Sequence, residues 1–286
     1  MSQKPTIGIT LGDQAGIGPE VVHAALRAKN WDEQAHLILI GETVPATLGK
    51  PDLTTATASL KALEQGVTML ENGTIDAIAT APVAKEQLHK IGFNYPGQTE
   101  FFADRLNCEN YAMCLTGPSL TVAIITIHIA LAEVPKQLKT SEIVRIGKLL
   151  KDFCLLKNKR PARIAVCGLN PHAGENGAFG TEDREIIIPA IHTLNAREHC
   201  FFGPFPPDTI FRPAVEGHYD AVLCMYHDQG LIPLKLLDFD TGVNTTLGLP
   251  KPRTSPDHGT GFDIAGKQIA SPNSMIAAIQ LAIDIA

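Results

Sequence analysis

Three histidines of this 286-residue chain each stand just past an apolar run. His128 follows Leu120 to Ile127, and His172 follows Arg163 to Cys167 within the segment Gly168 to Glu175. His227 follows Tyr219 to Met225 within Met225 to Gly230. Neutral imidazole is a common ligand of divalent metals, and three protein ligands with one open position make a catalytic site. Each ring alone could equally cap a helix or satisfy a backbone group. Their shared place beyond strand ends favours the metal reading, because ligands of open α/β sheets collect there. A second set is cationic and polar: Lys235, Asn244 and Arg253. Such groups hold phosphate or carboxylate, Arg in a bidentate manner, although each alone would pass for a solvated loop residue. Together the two sets suit metal-assisted chemistry on a small anionic substrate, with a Lewis acid on one of its oxygens and a base taking a proton. Asp228, beside His227, and Asp208 are candidate bases or carboxylates that orient a ligand.

The elements that must position these groups alternate. Apolar strands are expected at Thr6 to Leu11, His36 to Ile40, Asp76 to Thr80, Leu120 to Ile127, Arg163 to Cys167 and Tyr219 to Met225. Helices are expected from Pro19-Glu20 onward and over Ala56 to Asn72, Thr99 to Leu106, Thr140 to Leu156, Thr181 to Ala196 and Ser274 to Ile285. Continuous apolar strands alternating with amphipathic helices predict an α/β fold with a largely parallel sheet covered on both faces. The glycine loop Gly12 to Glu20 is not a dinucleotide fingerprint. Its spacing is not GxGxxG, and the next strand ends Leu39-Ile40-Gly41 without the acidic residue that reads a ribose. It reads as a tight strand-to-helix turn.

Composition narrows the class. Hydrophobic residues make up 44%, charged residues 19%, and the formal net charge is −6. A sizeable core is available, and neither a nucleic acid nor an anionic membrane is expected as partner. The N-terminus shows no signal-peptide pattern, and no run of about 18 apolar residues predicts a membrane span. The six cysteines form no CxxC pair and read as buried thiols of a reducing compartment, so a cytoplasmic location is expected.

At Gly12 to Glu20, Gly97 to Phe101, Thr126 to Leu131, Gly168 to Glu175, Pro207 to Thr209, Met225 to Gly230, Gly242 to Pro250 and Arg253 to Gly266, the sequence resembles the 4-hydroxythreonine-4-phosphate dehydrogenase family of vitamin B6 biosynthesis. The resemblance implies a fold like the isocitrate and isopropylmalate dehydrogenases, with two α/β subdomains, mostly parallel sheets and a cleft between them. The first subdomain would comprise residues 1–98 and 250–286. The second, 99–249, would carry dimerisation and the metal and substrate site. It further implies a homodimer with sites at the subunit interface and His128, His172 and His227 as metal ligands shared between partners. Gln98, Thr99, Lys235, Asn244 and Arg253 would be substrate contacts. The loop Asp257 to Gly266 would hold the adenosine end of NAD or NADP, with Gly259, Thr260 and Asp263 as its contacts. The implied reaction is oxidation, with decarboxylation, of 4-phosphooxy-L-threonine to 3-amino-2-oxopropyl phosphate. It would use zinc, cobalt, manganese or magnesium, all compatible with imidazole and substrate-oxygen ligands.

The chain departs from the family pattern at three places. Gln98 replaces the usual His before Thr-Glu, Gln14 replaces a Pro, and the region after Gly41 is short. The Gln98 change bears on substrate choice, so two rival readings stand beside the first. One is a dehydrogenase of threonate or erythronate 4-phosphate; the other is a non-redox phosphate-binding or acyltransferase protein.

Overall fold

The computed structural model describes residues 4–286, and the chain divides into two compact units. The first comprises residues up to Glu109 together with Asp240–Ala286, and the second is Asn110–Phe239. The sequence-expected boundaries at 98/99 and 249/250 both fall inside the first unit.

The first unit opens with strand β1 (Thr6–Thr10), helix α1 (Gly18–Ala28), β2 (His36–Ile40), α2 (Leu53–Glu71), β3 (Ala77–Thr80), α3 (Lys85–Lys90) and α4 (Gln98–Arg105). Its chain returns as β9 (Val243–Leu247), β10 (Arg253–Pro256) and α10 (Asn273–Ile285). The second unit holds β4 (Ala112–Thr116), β5 (Thr121–Thr126), α5 (Val134–Gln137), α6 (Thr140–Asn158), β6 (Ile164–Cys167), α7 (Ile188–Leu194), β7 (Phe201–Phe205), α8 (Phe211–Val215), β8 (Ala221–Tyr226) and α9 (His227–Asp238).

In the first unit β1 pairs in parallel with both β2 and β3, β3 pairs in parallel with β10, and β9 is antiparallel to β10. One face packs α1 and α10 through Ile7, Ile9, Val21, Val22, Met275 and Ile279. The other packs α2 and α4 through Leu63, Val67, Ile78, Phe101 and Phe102. A sheet buried on both faces explains why its strands read as unbroken apolar runs. The glycine loop is confirmed as a turn: Gly12 has φ +68, and a Cβ there would stand 2.2 Å from the Pro82 carbonyl oxygen. Pro19 and Glu20 do occupy the first turn of α1. Helix α2 starts three residues before the expected Ala56, because Asp52 caps it. The Asp52 carboxylate accepts from the Thr55 amide at 2.9 Å, and the Thr55 hydroxyl accepts from the Asp52 amide at 3.2 Å. Gln14 has a structural role. Its side-chain amide donates to the Glu42 carbonyl and accepts from the Val44 amide, tying down the short segment after Gly41.

In the second unit β5, β8, β6 and β7 run parallel in that order, with β4 antiparallel to β5. The helix expected over Thr181 to Ala196 is shorter and begins with a widened turn of π type at Asp183–Ile187. Helix α9, which contains Pro233, lies close on the sheet. A Cβ on Gly230 would come 2.7 Å from Ile124 Cδ1 and 3.0 Å from Cys224 Sγ, so a larger residue there would have to displace both side chains. Five of the six thiols are buried. Burial pushes Cys114 up to about 12 and Cys224 well above the usual thiol range, so both stay protonated and inert. Among the described residues no helix is long and apolar enough to cross a membrane.

Candidate active site

Strands β5, β8 and β6 are direct neighbours, and each delivers one of the three histidines past its carboxyl end. His128 and His227 come together, with ring centroids 5.7 Å apart. The His227 Nδ1 lies 2.7 Å from a carboxylate oxygen of Asp228, which leaves Nε2 free to face a ligand. Asp228 therefore stands as the carboxylate that orients His227. The other candidate base, Asp208, is exposed in the turn after β7.

His172 does not join this pair. Among the described residues no three His, Cys, Asp or Glu side chains form one metal-binding group within the chain. His172 is exposed, with Nδ1 3.2 Å from Glu175. It sits in a left-handed coil: His172, Ala173, Glu175 and Asn176 all have φ between 41 and 56°. Each such non-glycine residue costs about 1–2 kcal/mol. The coil is anchored by buried Asp183, whose carboxylate accepts from the backbone amides of Leu169 and Asn170 at 2.9 and 3.1 Å. His128 has φ 53 as well. Strained backbone under two of the three rings is the pattern of a functional site.

The polar set of the first unit is built on strands, where a solvated loop was the plain alternative. Arg253 on β10 faces Thr246 on β9, and Asn244 faces Ser255, so all four share one face of the ladder. Arg253 is 3% exposed and forms no ion pair among the described residues. Its guanidinium donates to the Thr80 hydroxyl from Nε at 3.1 Å and from Nη2 at 2.9 Å. Longer contacts reach Thr99 and Thr246 at 3.4 Å and the Gln98 side-chain oxygen at 3.3 Å. Every one of these partners is neutral. Burial lowers the guanidinium to about 10, and only Glu100 opposes this through space, so the group remains a cation at neutral pH. A buried cation surrounded by hydroxyls and an amide can receive an anion. The Asn244 Oδ1 is buried without a hydrogen-bond partner among the described residues and fits a ligand's donor group. Lys235 is half-buried on α9 in the second unit.

The sequence reading missed Thr80, whose hydroxyl aims the guanidinium. Its signal was a Thr closing an otherwise apolar strand. Replacing Thr80 with valine is expected to weaken inorganic phosphate binding about tenfold, in line with a charged hydrogen bond of roughly 1.5 kcal/mol. Phosphate-dependent thermal stabilisation measures this, and an unchanged phosphate dependence would count against the assignment.

The loop after β10, which the resemblance implies holds a nucleotide's adenosine end, packs on the glycine loop. The Ile17 amide donates to the Thr260 carbonyl at 2.8 Å, and the Glu20 carboxylate accepts from the amides of Gly266 and Gln268. Gly259 is open around its Cα, Asp263 is exposed, and the buried His258 Nε2 lacks a partner among the described residues. These features fit a loop that receives a polar ligand.

The family model of the pyridoxal phosphate biosynthetic protein PdxA matches residues 12–282. A 4-hydroxythreonine-4-phosphate dehydrogenase of Caulobacter vibrioides is 40% identical over 333 aligned positions, covering 100% of this chain and 98% of the relative. That alignment exceeds the 286 residues of the chain, so the relative carries segments this chain lacks. A protein of Oceanobacillus iheyensis, provisionally named D-threonate 4-phosphate dehydrogenase, is 39% identical and covers 100% of the chain and 99% of its own length. The crystal structure of a 4-hydroxythreonine-4-phosphate dehydrogenase from Klebsiella pneumoniae superposes with a TM-score of 0.86 at 36% identity, covering 99% of both chains. An isocitrate dehydrogenase of Methylococcus capsulatus, at 15% identity and TM-score 0.58 over 98% of this chain and 85% of its own, shares the fold alone.

Proposed function

Because the chain belongs to the pyridoxal phosphate biosynthetic protein PdxA family, we propose that it oxidises 4-phosphooxy-L-threonine with NAD or NADP, and with loss of carbon dioxide, to 3-amino-2-oxopropyl phosphate. The observation that carries this reading is the buried Arg253 guanidinium, whose protein partners are all neutral. It holds an anionic group of the substrate, with Thr99 and Asn244 as hydroxyl and amide contacts. His128 and His227 hold a divalent ion, and their ring spacing and the Asp228 bond to His227 suit that role. His172, exposed and apart from the pair, completes the set from a second copy of the chain. A homodimer is supported by an uncovered apolar row along α9 and the residue that follows it, where Ile232, Leu236 and Phe239 are 67, 83 and 71% exposed. The loop with Gly259, Thr260 and Asp263 holds the nucleotide, and the reaction takes place in the cytoplasm.

When bound, the ion would supply Lewis acidity at the substrate hydroxyl and the nicotinamide would accept hydride from its carbon. Asp208 and Asp228 are the carboxylates available to take the hydroxyl proton, and Asp228 is already committed to His227. The resulting β-keto acid breaks its bond to the carboxylate carbon. The electron pair stays on the adjacent carbon, which is then protonated.

A second substrate is favoured by one specific observation. Gln98 places a neutral amide against Arg253, its nitrogen donating to the Ala81 carbonyl at 3.1 Å. D-threonate 4-phosphate, the substrate in the Oceanobacillus iheyensis relative's name, carries a hydroxyl in place of the amino group and is the compound to compare. The test is absorbance of reduced nicotinamide with NAD and NADP against phosphorylated hydroxythreonine, threonate and erythronate. Turnover of the first far above the others is expected. A preference for a sugar-acid phosphate would reassign the substrate, and no reduction with any of them would reject the redox reading.

A further inference from the structure

The ladder between β6 and β8 is in register through Ala165 with Val222 and Val166 with Leu223. Two residues further on, Gly168 and Met225 occupy equivalent places but are joined by a side chain. The Gln229 amide oxygen accepts from the Met225 backbone amide at 2.7 Å, and its nitrogen donates to the Gly168 carbonyl at 2.8 Å. Gln229 is 6% exposed. On the other side of β8 the strands stay directly paired as far as Thr126 with Tyr226, and the Thr126 hydroxyl donates to the Met225 carbonyl at 2.8 Å. Both backbone groups of Met225 are therefore held by side chains, one from each neighbour's direction.

This asymmetry tracks the histidines. Beyond the directly paired edge, His128 and His227 bring their rings to 5.7 Å. Beyond the edge opened by the amide, the chain from Gly168 runs into the left-handed coil, and His172 is not in the pair. We propose that Gln229 is a positioning residue: its amide stands in for a backbone pair, holds Met225 two residues before His227, and so fixes the His227 ring against His128. The inference rests on the reading of His128 and His227 as ligands of a divalent ion.

The residue type follows from the geometry of the gap. One neutral amide donates and accepts at once, so it can bridge an N–H and a C=O facing the same space. An ionised glutamate would still accept from Met225 but would oppose the Gly168 carbonyl. Asparagine lacks one methylene of reach. Gly230 beside it allows the close seat of α9 that brings the amide into the gap.

The test is titration of the purified full-length protein with Co²⁺ alone, following the visible bands of the bound ion. Gln229→Met, which removes both hydrogen bonds without adding charge, is expected to weaken Co²⁺ at least tenfold and to shift the bands, as loss of an orienting partner does elsewhere. Gln229→Leu, which also removes both hydrogen bonds, is the second variant should the first not fold. A purely structural role would lower the melting temperature but leave the affinity and bands of the folded protein unchanged. A folded variant of either kind with wild-type affinity and bands overturns the inference while the metal reading stands. Failure of the wild type to bind Co²⁺, or binding unaffected by His128→Ala, overturns both.

Discussion

Replacement of Arg253 by methionine is expected to lower kcat/KM for a phosphorylated hydroxy acid by about 10³-fold, through two charged hydrogen bonds of roughly 2 kcal/mol each. The same change is expected to stabilise the fold by about 1–3 kcal/mol, because a buried ion gives way to an apolar side chain of similar volume. The opposite signs follow from the surroundings. Arg253 is buried in the first unit against Thr80, Thr99, Thr246 and Gln98, and no carboxylate among the described residues pairs with it. Folding bears the cost of dehydrating the cation, and an anionic ligand recovers it. Inorganic phosphate should therefore raise the melting temperature of the wild type and leave the methionine variant unmoved. Lysine should not substitute, since a point charge cannot reproduce the paired Nε and Nη2 donation to Thr80. Steady-state kinetics and thermal melts with phosphate are the measurements. A variant with unchanged KM and a lowered melting temperature would show Arg253 to be a structural cation.

The parts of this molecule legible in the sequence are those written in hydrophobicity. β1, β3, β5, β6 and β8 are apolar runs because helices cover their sheets, and the histidines stand out at the ends of three of them. β9 and β10 were invisible for the converse reason. Val-Asn-Thr-Thr-Leu and Arg-Thr-Ser-Pro look like loops, yet β10 is fully buried with a guanidinium on it. A binding face inside a sheet breaks the correlation between polarity and exposure on which strand reading depends. Helix α9 was hidden by Gly230 and Pro233, residues that ordinarily argue against a helix. The left-handed coil at His172 could not be read, because Ala173 and Glu175 carry no preference for positive φ. Thr80 and Gln229 were missed for a different reason. Both bridge donors and acceptors fixed by long-range contacts, which one chain's local spacing does not reveal.

His227→Ala is expected to reduce metal-dependent turnover by about 10³-fold or more, since Lewis-acid stabilisation worth several kcal/mol depends on the ligand set. Asp228→Asn should cost roughly 10–100-fold in metal affinity, the usual cost of disturbing a carboxylate that orients an imidazole. His172→Ala should also abolish that turnover, although its ring is absent from the His128–His227 pair. The two histidine variants then make a sharper test together than apart. If a second copy supplies His172, a heterodimer of the two variants contains one site with neither histidine and one intact site. Random reassociation makes half the dimers mixed, so mixing should restore about a quarter of wild-type activity from two inactive preparations. Rescue requires that the ligands come from two chains, because rings confined to one chain leave every site in the mixture broken. Activity that stays at the level of the separate variants after verified subunit exchange would place all three histidines in one chain or remove His172 from the site.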